Sequence, residues 1–390
     1  MKRHLILTLL CMAGLSMQAQ SSWLGQQSKQ NYISTGMPIL LIAPDAVSSG
    51  MGDVGAATTP DAYSAHWNNA KFAFIDGQMG VSTTFTPWLR NLKVGDMNLL
   101  YLSGYYRVNP RSTVAASLTY FSLGDIDMTD IEGQKVTDLH PNEFAFDVTY
   151  ALKLSDNLSL GATARYMRSD LTNGQTLNDG SGNIATKAAN SLAADVGLYY
   201  QNTIDKQQSF ALGAFISNLG AKLSYSEDNT SREFLPSNFR VGGRYTNMLD
   251  EYNKISVMLD LNKLLVPTPR FRTYSQDGEQ SLTDYTNIGV IAGAFQSFND
   301  APGGFGEELQ EVQLSVGTEY WYAETFAVRA GYFFEHENKG GRQYASVGLG
   351  LRYSYFMFDF SYLIPTARFS TNPLSNTIRI QLTADLKPTK

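Results

Sequence analysis

The feature that most constrains the fold is a strict alternation of apolar and polar residues along five consecutive segments within residues 309–386. In one segment every second residue is aromatic: Phe356, Phe358, Phe360 and Tyr362. In another every second residue is aliphatic: Ile378, Ile380, Leu382, Ala384 and Leu386. A period of two indicates β-strands with one apolar and one polar face. The apolar face packs inward in a soluble sandwich but meets lipid in an outer-membrane barrel, so the alternation by itself allows both architectures.

The composition favours a chain whose largest surface faces lipid. Charged residues make up 17% of the 390 residues, whereas about 25% is usual in soluble proteins. Aromatic residues are abundant, with 22 Tyr and 21 Phe. Beyond the first residues, no apolar run reaches the roughly 18 residues that a transmembrane helix needs, so a helical membrane protein is not expected. A formal net charge of −6 argues against nucleic acid as a partner, because nucleic-acid binding uses basic surfaces.

The N-terminal region differs from the rest of the chain. Residues 1–19 have the features of a secretory signal peptide, with Lys2 and Arg3 before an apolar stretch and cleavage expected after Ala19. The only cysteine, Cys11, lies in this stretch, so the mature chain offers no thiolate as nucleophile or metal ligand. Residues 20–74 are rich in small residues and do not alternate, which predicts a short helical hatch in the lumen of a barrel.

Residues 75–390 are predicted to form an all-β domain, a 14-stranded antiparallel transmembrane barrel with long extracellular loops. The strand candidates are residues 77–86, 97–108, 112–122, 142–153, 157–168, 190–201, 209–218, 237–247, 254–263, 309–322, 325–335, 343–353, 355–364 and 376–386. Connections after even-numbered candidates are short, whereas most of those after odd-numbered candidates are long. Outer-membrane barrels have this arrangement of turns and loops, and closed bacterial barrels have an even number of strands. Aromatic pairs near strand ends, such as Tyr105-Tyr106, are expected in the interfacial girdles.

The sequence contains no recognisable catalytic, cofactor or metal motif. The mature chain has three histidines, His66, His140 and His336, and none has a second histidine at metal-ligand spacing. We therefore expect no catalytic residues, no cofactor and no metal site. Charged residues on the polar strand faces predict a structural network in the lumen, with a polar path for a solute as the alternative. The main residues of this network are Arg240, Arg244, Glu319, Arg329, Asp359 and Arg379.

Two long loops are candidate partner-binding surfaces. The loop 123–141 is acidic and contains Asp125, Asp127 and Asp130. The loop 264–308 has about 45 residues, and connections of that length are usually functional or disordered. Its segment 287–298 mixes aliphatic and aromatic residues with small ones, which predicts an ordered element that packs on another part of the chain. A lid over the barrel mouth and a protein-docking surface are both compatible with this loop.

Several motifs resemble those of a known family. Residues 297–308 read SFNDAPGGFGEE, and they are followed by SVGTEYWY at 315–322 and RAGYFFE at 329–335. In these segments the chain resembles the PorV family, the outer-membrane shuttle proteins of the type IX secretion system. The hatch motifs resemble the wider FadL-like barrel family: APDA at 43–46, GMGDVG at 50–55 and HWNNA at 66–70. The chain departs from the wider family in having Asn68-Asn69-Ala70 in place of Asn-Pro-Ala, and from most outer-membrane barrels in lacking a terminal aromatic residue.

The resemblance implies a FadL-like barrel that binds the C-terminal signal domains of secreted cargo as they leave the outer-membrane translocon. It also implies delivery of the cargo to a sortase-like surface protease, which attaches it to lipopolysaccharide in the outer membrane. The segment 297–308 is the most specific of these motifs, and it supplies candidate contacts to the cargo: Phe298, Asp300, Pro302, Gly303, Gly304 and Phe305.

Three functions follow, in order of preference. The first is a binding and shuttling barrel that is not an enzyme, favoured by long loops at one end and by the lack of a catalytic set. The second is a FadL-like channel for hydrophobic solutes that uses residues 38–70 as its hatch. The third is an outer-membrane enzyme related to lipid A deacylation, which would need a Ser or a His at the lipid interface; the candidate histidines are His66, His140 and His336.

Overall fold

The computed structural model describes residues 31–89, 96–129, 134–178, 183–227, 232–268, 288–366 and 377–386. The predicted signal peptide and Asp130 lie outside these residues. Among the described residues, no helix is long and apolar enough to cross a membrane.

Fourteen antiparallel strands close into a barrel, which confirms the predicted fold class. These strands are β1 (Met79–Pro87), β2 (Met97–Asn109), β3 (Ser112–Leu123), β6 (Asn142–Lys153), β7 (Leu158–Asp170), β10 (Ala189–Thr203), β11 (Gln208–Gly220), β12 (Asn238–Met248), β13 (Asn253–Leu264), β14 (Gln313–Tyr322), β15 (Phe326–Phe334), β16 (Gln343–Tyr353), β17 (Phe356–Pro365) and β18 (Ile378–Leu386). Each pairs with the next barrel strand along the chain, and β18 pairs with β1 to close the sheet. Closure leaves no unpaired strand edge, as a sheet in lipid requires.

The side chains on the strands show which face meets lipid. In β17, Phe358 and Phe360 are exposed on the outer surface, whereas Asp359 between them is buried in the interior. In β18, Ile380 is exposed and Arg379 is buried. The apolar faces therefore point outward, which is the arrangement of an outer-membrane barrel and the reverse of a soluble sandwich.

The connections sort by end, as predicted. Short turns follow β2, β6, β10, β12, β14 and β16, and the longer connections lie at the other end, which is outside the cell in outer-membrane barrels. Two of these connections contain hairpins that the sequence pattern did not predict: β4 (Ile126–Thr129) with β5 (Lys135–Leu139), and β8 (Thr176–Asn178) with β9 (Asn183–Ala185).

The predicted start of one strand is wrong. The strand candidate 309–322 begins at Gln313, because residues Phe305–Gln310 form a short helix, α4. Gly304 precedes this helix with φ of 69°, a left-handed conformation that suits glycine and turns the chain into the helix.

The hatch consists of four short helical elements inside the barrel. They are a 3-10 helix (Pro38–Leu41), α1 (Ala46–Ser49), α2 (Ser64–Trp67) and a second 3-10 helix (Asn69–Phe74). Asp45 joins two of them, because its Oδ2 accepts from Ser48 N at 2.7 Å and its Oδ1 accepts from Trp67 Nε1 at 2.6 Å. Trp67 is buried, so the indole N–H needs this partner.

Glycines in the barrel wall allow the hatch backbone to approach closely. A Cβ on Gly331 of β15 would lie 2.0 Å from Met51 C, and one on Gly213 of β11 would lie 2.0 Å from Ala56 O. These distances leave no room for any side chain. The hatch therefore packs directly against the strands on separate sides of the lumen.

Candidate functional site

The lumen is crossed by polar contacts between the barrel wall and the hatch. Asp260 of β13 accepts from Gly55 N at 2.6 Å and from Ala56 N at 2.8 Å. Arg240 of β12 stacks on the hatch indole of Trp67, with its guanidinium carbon 4.3 Å from the ring centroid. Its Nη1 lies 3.9 Å from Asp260 Oδ2. A carboxylate and a guanidinium of the wall therefore hold the middle of the hatch.

The other predicted lumen residues divide into two groups. Arg329 joins Glu319 and Asp359, with Nε 2.8 Å from Glu319 Oε2 and Nη1 2.7 Å from Asp359 Oδ1. All three side chains are buried. Arg379 and Arg244 contact the hatch instead: Arg379 Nε donates to Ala43 O at 2.9 Å, and Arg244 Nη1 donates to the hydroxyl of Thr59. The charged residues thus pair with one another or with the hatch.

Asn69 makes wall contacts that a proline at this position could not make. Its Nδ2 donates to Thr163 Oγ1 on β7 at 2.9 Å and to Asp195 O on β10 at 3.4 Å. The neighbouring Asn68 donates to Leu198 O at 3.0 Å and accepts from Ala70 N at 3.1 Å. The departure from Asn-Pro-Ala therefore adds a direct hydrogen-bonded link between hatch and barrel.

The three histidines lie in different parts of the structure. His66 packs against Trp67 in the hatch, with ring centroids 4.7 Å apart. His140 Nδ1 lies 2.7 Å from Asp125 Oδ1 in an exposed loop, and this carboxylate raises the pKa of His140. His336 accepts from Asn338 N at 3.2 Å. Within the described part of the chain, no three His, Cys, Asp or Glu side chains are grouped so that they could hold a metal ion.

Three acidic side chains in the described part of the loop 123–141 have a basic partner. Lys135 Nζ lies 2.9 Å from Asp127 Oδ1 and 2.6 Å from Asp138 Oδ1, across the β4–β5 hairpin. Asp125 pairs with His140. The described part of this loop therefore presents exposed ion pairs at the long-loop end of the barrel, and the carboxylates in it are partly screened by their partners.

The long β13–β14 connection presents apolar side chains to solvent. It contains α3 (Val290–Gln296) and α4, so the predicted ordered element is present. The helix α3 buries Gly293, which packs against the ring of Phe234, while its larger side chains face outward. Five exposed apolar residues on these helices and beside them form what we call the loop patch: Ile291, Phe295, Phe298, Phe305 and Leu309. Phe295 is 77% exposed and Phe305 is 76% exposed.

Buried ion pairs fix this connection to the barrel. Lys263 Nζ, at the end of β13, lies 3.0 Å from Glu308 Oε2 of α4, and Lys339 Nζ lies 2.9 Å from Glu311 Oε1. Asp300 is also buried; its Oδ2 accepts from Thr268 N at 3.0 Å, and burial raises its pKa. Of the motif residues proposed as partner contacts, Asp300 therefore holds the loop, whereas Phe298, Pro302, Gly303, Gly304 and Phe305 are exposed.

Residues 25–271 match the family model described as type IX secretion system protein PorV. The chain belongs to the PorV family. A search of curated proteins found no match. Membership of this family and the barrel fold make the chain an outer-membrane component of type IX secretion.

Several solved structures are similar to the chain at low sequence identity. The toluene transporter TodX of Pseudomonas putida is 11% identical, with 91% of this chain and 98% of that chain covered and a TM-score of 0.51. A FadL homologue of Pseudomonas aeruginosa is 11% identical, with 91% and 99% covered and a TM-score of 0.46. The toluene transporter TbuX of Ralstonia pickettii is 12% identical, with 87% and 96% covered and a TM-score of 0.45. The similarity to TodX supports a FadL-like barrel.

Proposed function

We propose that this PorV-family barrel binds the C-terminal signal domains of exported cargo at its long-loop end. In this proposal it carries them from the outer-membrane translocon to the sortase-like surface protease, and it does so as a binding protein without catalysing a reaction. The observation that carries the proposal is the loop patch. Its side chains lie beyond the strands, where they meet water instead of lipid, and exposed apolar surface of this kind is typical of protein-binding sites.

The loop patch is also held in place, as a docking surface requires. The ion pairs of Lys263 with Glu308 and of Lys339 with Glu311 are buried, and the ring of Phe234 packs against Gly293 of α3. A surface that is ordered before binding loses less conformational entropy when a partner docks. Burying one Phe side chain contributes roughly 1.5–3 kcal/mol, so two such residues can dominate the affinity for a cargo domain.

A double substitution of the loop patch tests the proposal. We expect Phe295→Ser with Phe305→Ser to weaken binding of a purified cargo signal domain by at least about tenfold, because losing the two aromatic contacts together costs more than about 1.4 kcal/mol. Binding is measured with the detergent-solubilised barrel, and cargo display is measured on intact cells. The control is Tyr252→Ser, which removes a 60% exposed aromatic residue from the turn at the opposite end. Normal binding and display by the double variant, at normal barrel levels, would reject the loop patch as the cargo site.

A channel for hydrophobic solutes is the second candidate, favoured by the fold that the chain shares with TodX. The packing of the hatch against the wall opposes it, because Asp260, Arg379 and Asn69 all hold the hatch in the lumen. The two functions differ in what they require of the hatch. A channel needs the hatch to move, whereas a docking platform needs only the loops.

A further inference from the structure

A buried asparagine in the barrel wall has a backbone conformation that few residues adopt. Asn218 of β11 has φ of 60°, in the left-handed region, where asparagine is tolerated better than most residues. It lies in a β-bulge, because two residues of β11, Ser217 and Asn218, are opposite the single residue Asp195 of β10. The bulge leaves the polar groups of Asn218 available for contacts outside the regular strand ladder.

One side of Asn218 is held by charged residues of the lumen. Its Oδ1 accepts from Nη1 of Arg165 on β7, and its N–H donates to Asp195 Oδ1 at 2.7 Å. Arg165 is itself fixed by Asp147 of β6, whose Oδ1 lies 2.6 Å from Nε and whose Oδ2 lies 2.9 Å from Nη2. All four of these residues are buried. A buried network of charge-assisted hydrogen bonds is rigid, so it sets the position of Asn218 in the wall.

The other side of Asn218 holds two segments at the long-loop end. Its Nδ2 donates to Pro236 O at 3.0 Å, and its carbonyl accepts from Ser237 Oγ at 2.7 Å, just before β12 begins. Ser237 O in turn accepts from Leu265 N at 2.7 Å, which fixes the start of the β13–β14 connection. Asn218 therefore joins the buried charges of the wall to both segments.

These two segments support the helix α3. A Cβ on Gly293, a buried residue of α3, would lie 3.1 Å from Phe234 Cε1 and 3.1 Å from Pro267 Cγ. Phe234 is two residues before Pro236, and Pro267 is two residues after Leu265. The buried face of α3 therefore rests on the two segments that Asn218 holds.

We propose that Asn218 is a positioning residue for the loop patch. It is buried and does not touch a partner itself, but it fixes α3 relative to the barrel and thereby the direction of Ile291 and Phe295. Asparagine suits this position because its amide accepts from Arg165, donates to Pro236 O and tolerates the left-handed backbone. The inference rests on the proposed role of the loop patch in cargo binding.

Distances between spin labels test the proposal. The only cysteine, Cys11, lies in the predicted signal peptide, so labels attach only to introduced cysteines. One pair joins Ala292→Cys, at an exposed position of α3 outside the loop patch, to Lys206→Cys in the short turn after β10. Asn218→Gly keeps the left-handed backbone without strain and removes the amide, and we expect it to broaden the distance distribution of this pair at least about twofold.

Binding of a purified cargo signal domain is measured on the unlabelled full-length protein in detergent. We expect Asn218→Gly to lower the affinity at least about threefold, because a less ordered loop patch loses more conformational entropy when the partner docks. Asn218→Asp tests the amide donor alone: it retains an acceptor for Arg165 but cannot donate to Pro236 O, so α3 should become less ordered while the charged cluster stays intact. A heat-dependent shift in gel migration verifies that each variant is a folded barrel.

Two controls separate positioning from a general loss of stability. A second label pair, Thr129→Cys on the β4–β5 hairpin with Lys206→Cys, should keep its wild-type distance distribution in Asn218→Gly. Asn173→Gly removes an asparagine with φ of 52° from a loop at the same end of the barrel. It should leave both the order of α3 and the affinity for cargo unchanged.

The outcomes distinguish this inference from cargo binding. Wild-type distance distributions at α3 in the folded variants of Asn218 would overturn the positioning role, whatever the affinity for cargo. Equal broadening of both label pairs would show a general effect on the barrel and would overturn it as well. Broadening at α3 alone with unchanged affinity would support the positioning role and count against the loop patch as the cargo site.

Discussion

Replacing Arg329 with methionine is expected to destabilise the barrel by about 3–5 kcal/mol. The guanidinium of Arg329 is completely buried between two carboxylates. Its Nε lies 2.8 Å from Glu319 Oε2, and its Nη1 lies 2.7 Å from Asp359 Oδ1. Methionine retains much of the apolar stem but leaves two carboxylates without a counter-charge in the interior. The cost arises from the desolvation of those carboxylates, which the arginine offsets in the native protein. Urea-induced unfolding of the barrel in detergent micelles, followed by tryptophan fluorescence, measures the loss.

Two controls separate charge burial from a general effect of losing an arginine. Arg352→Met removes an arginine that pairs with Glu324 at 3.4 Å, with both side chains partly exposed, and it should cost no more than about 1 kcal/mol. Combining Arg329→Met with Glu319→Gln and Asp359→Asn removes the charges together and should recover most of the stability. Equal losses for Arg329→Met and Arg352→Met would contradict this account of the buried cluster.

The substitution Gly331→Ala is expected to displace the hatch and open the barrel to ions. The added Cβ would lie 2.0 Å from Met51 C and 2.3 Å from Gly52 N. Both contacts are with backbone atoms, so no side-chain rotation can relieve them and the hatch has to shift. An emptied 14-stranded barrel encloses water, and we expect conductance in planar bilayers at least about tenfold above that of the wild type.

The matched control is Gly104→Ala on β2. A Cβ at this position meets only Gly80 O, at 3.4 Å, which is ordinary contact. This variant should insert and remain as closed as the wild-type barrel. If Gly331→Ala folds and stays closed as well, then the hatch is not held against β15 in the way described, and the case against a solute channel weakens.

The strands were predictable because each one faces two different media. Lipid on one side and a polar interior on the other impose a period of two on the sequence, so the candidate 355–364 differs from β17 by only one residue at each end. The same alternation limits the prediction for aromatic pairs. In Tyr105-Tyr106, only Tyr106 is exposed on the outer surface, while Tyr105 is buried inside. The prediction that both residues of this pair lie in the interfacial girdle is therefore wrong.

The contacts within the lumen and the loops could not be predicted, because their partners are far apart in the sequence. The charges on the strand faces indicated a network, but nothing local showed that Arg329 binds two carboxylates while Arg379 binds Ala43 O. The glycines that admit the hatch, such as Gly213, look like ordinary strand glycines until the hatch is in place.

The seam between β1 and β18 has a consequence for biogenesis. The strand β1 begins at Met79, shortly after the hatch ends at Phe74, and its partner β18 follows all the other barrel strands in chain order. The hatch is bound by Asp260 and Arg379, which leave the ribosome long after it. The hatch therefore lacks these two partners until the C-terminal half of the chain has been made. If β1 paired with β18 before the hatch entered the lumen, the hatch would remain outside the barrel. The order of these two steps therefore determines whether the barrel is plugged or empty.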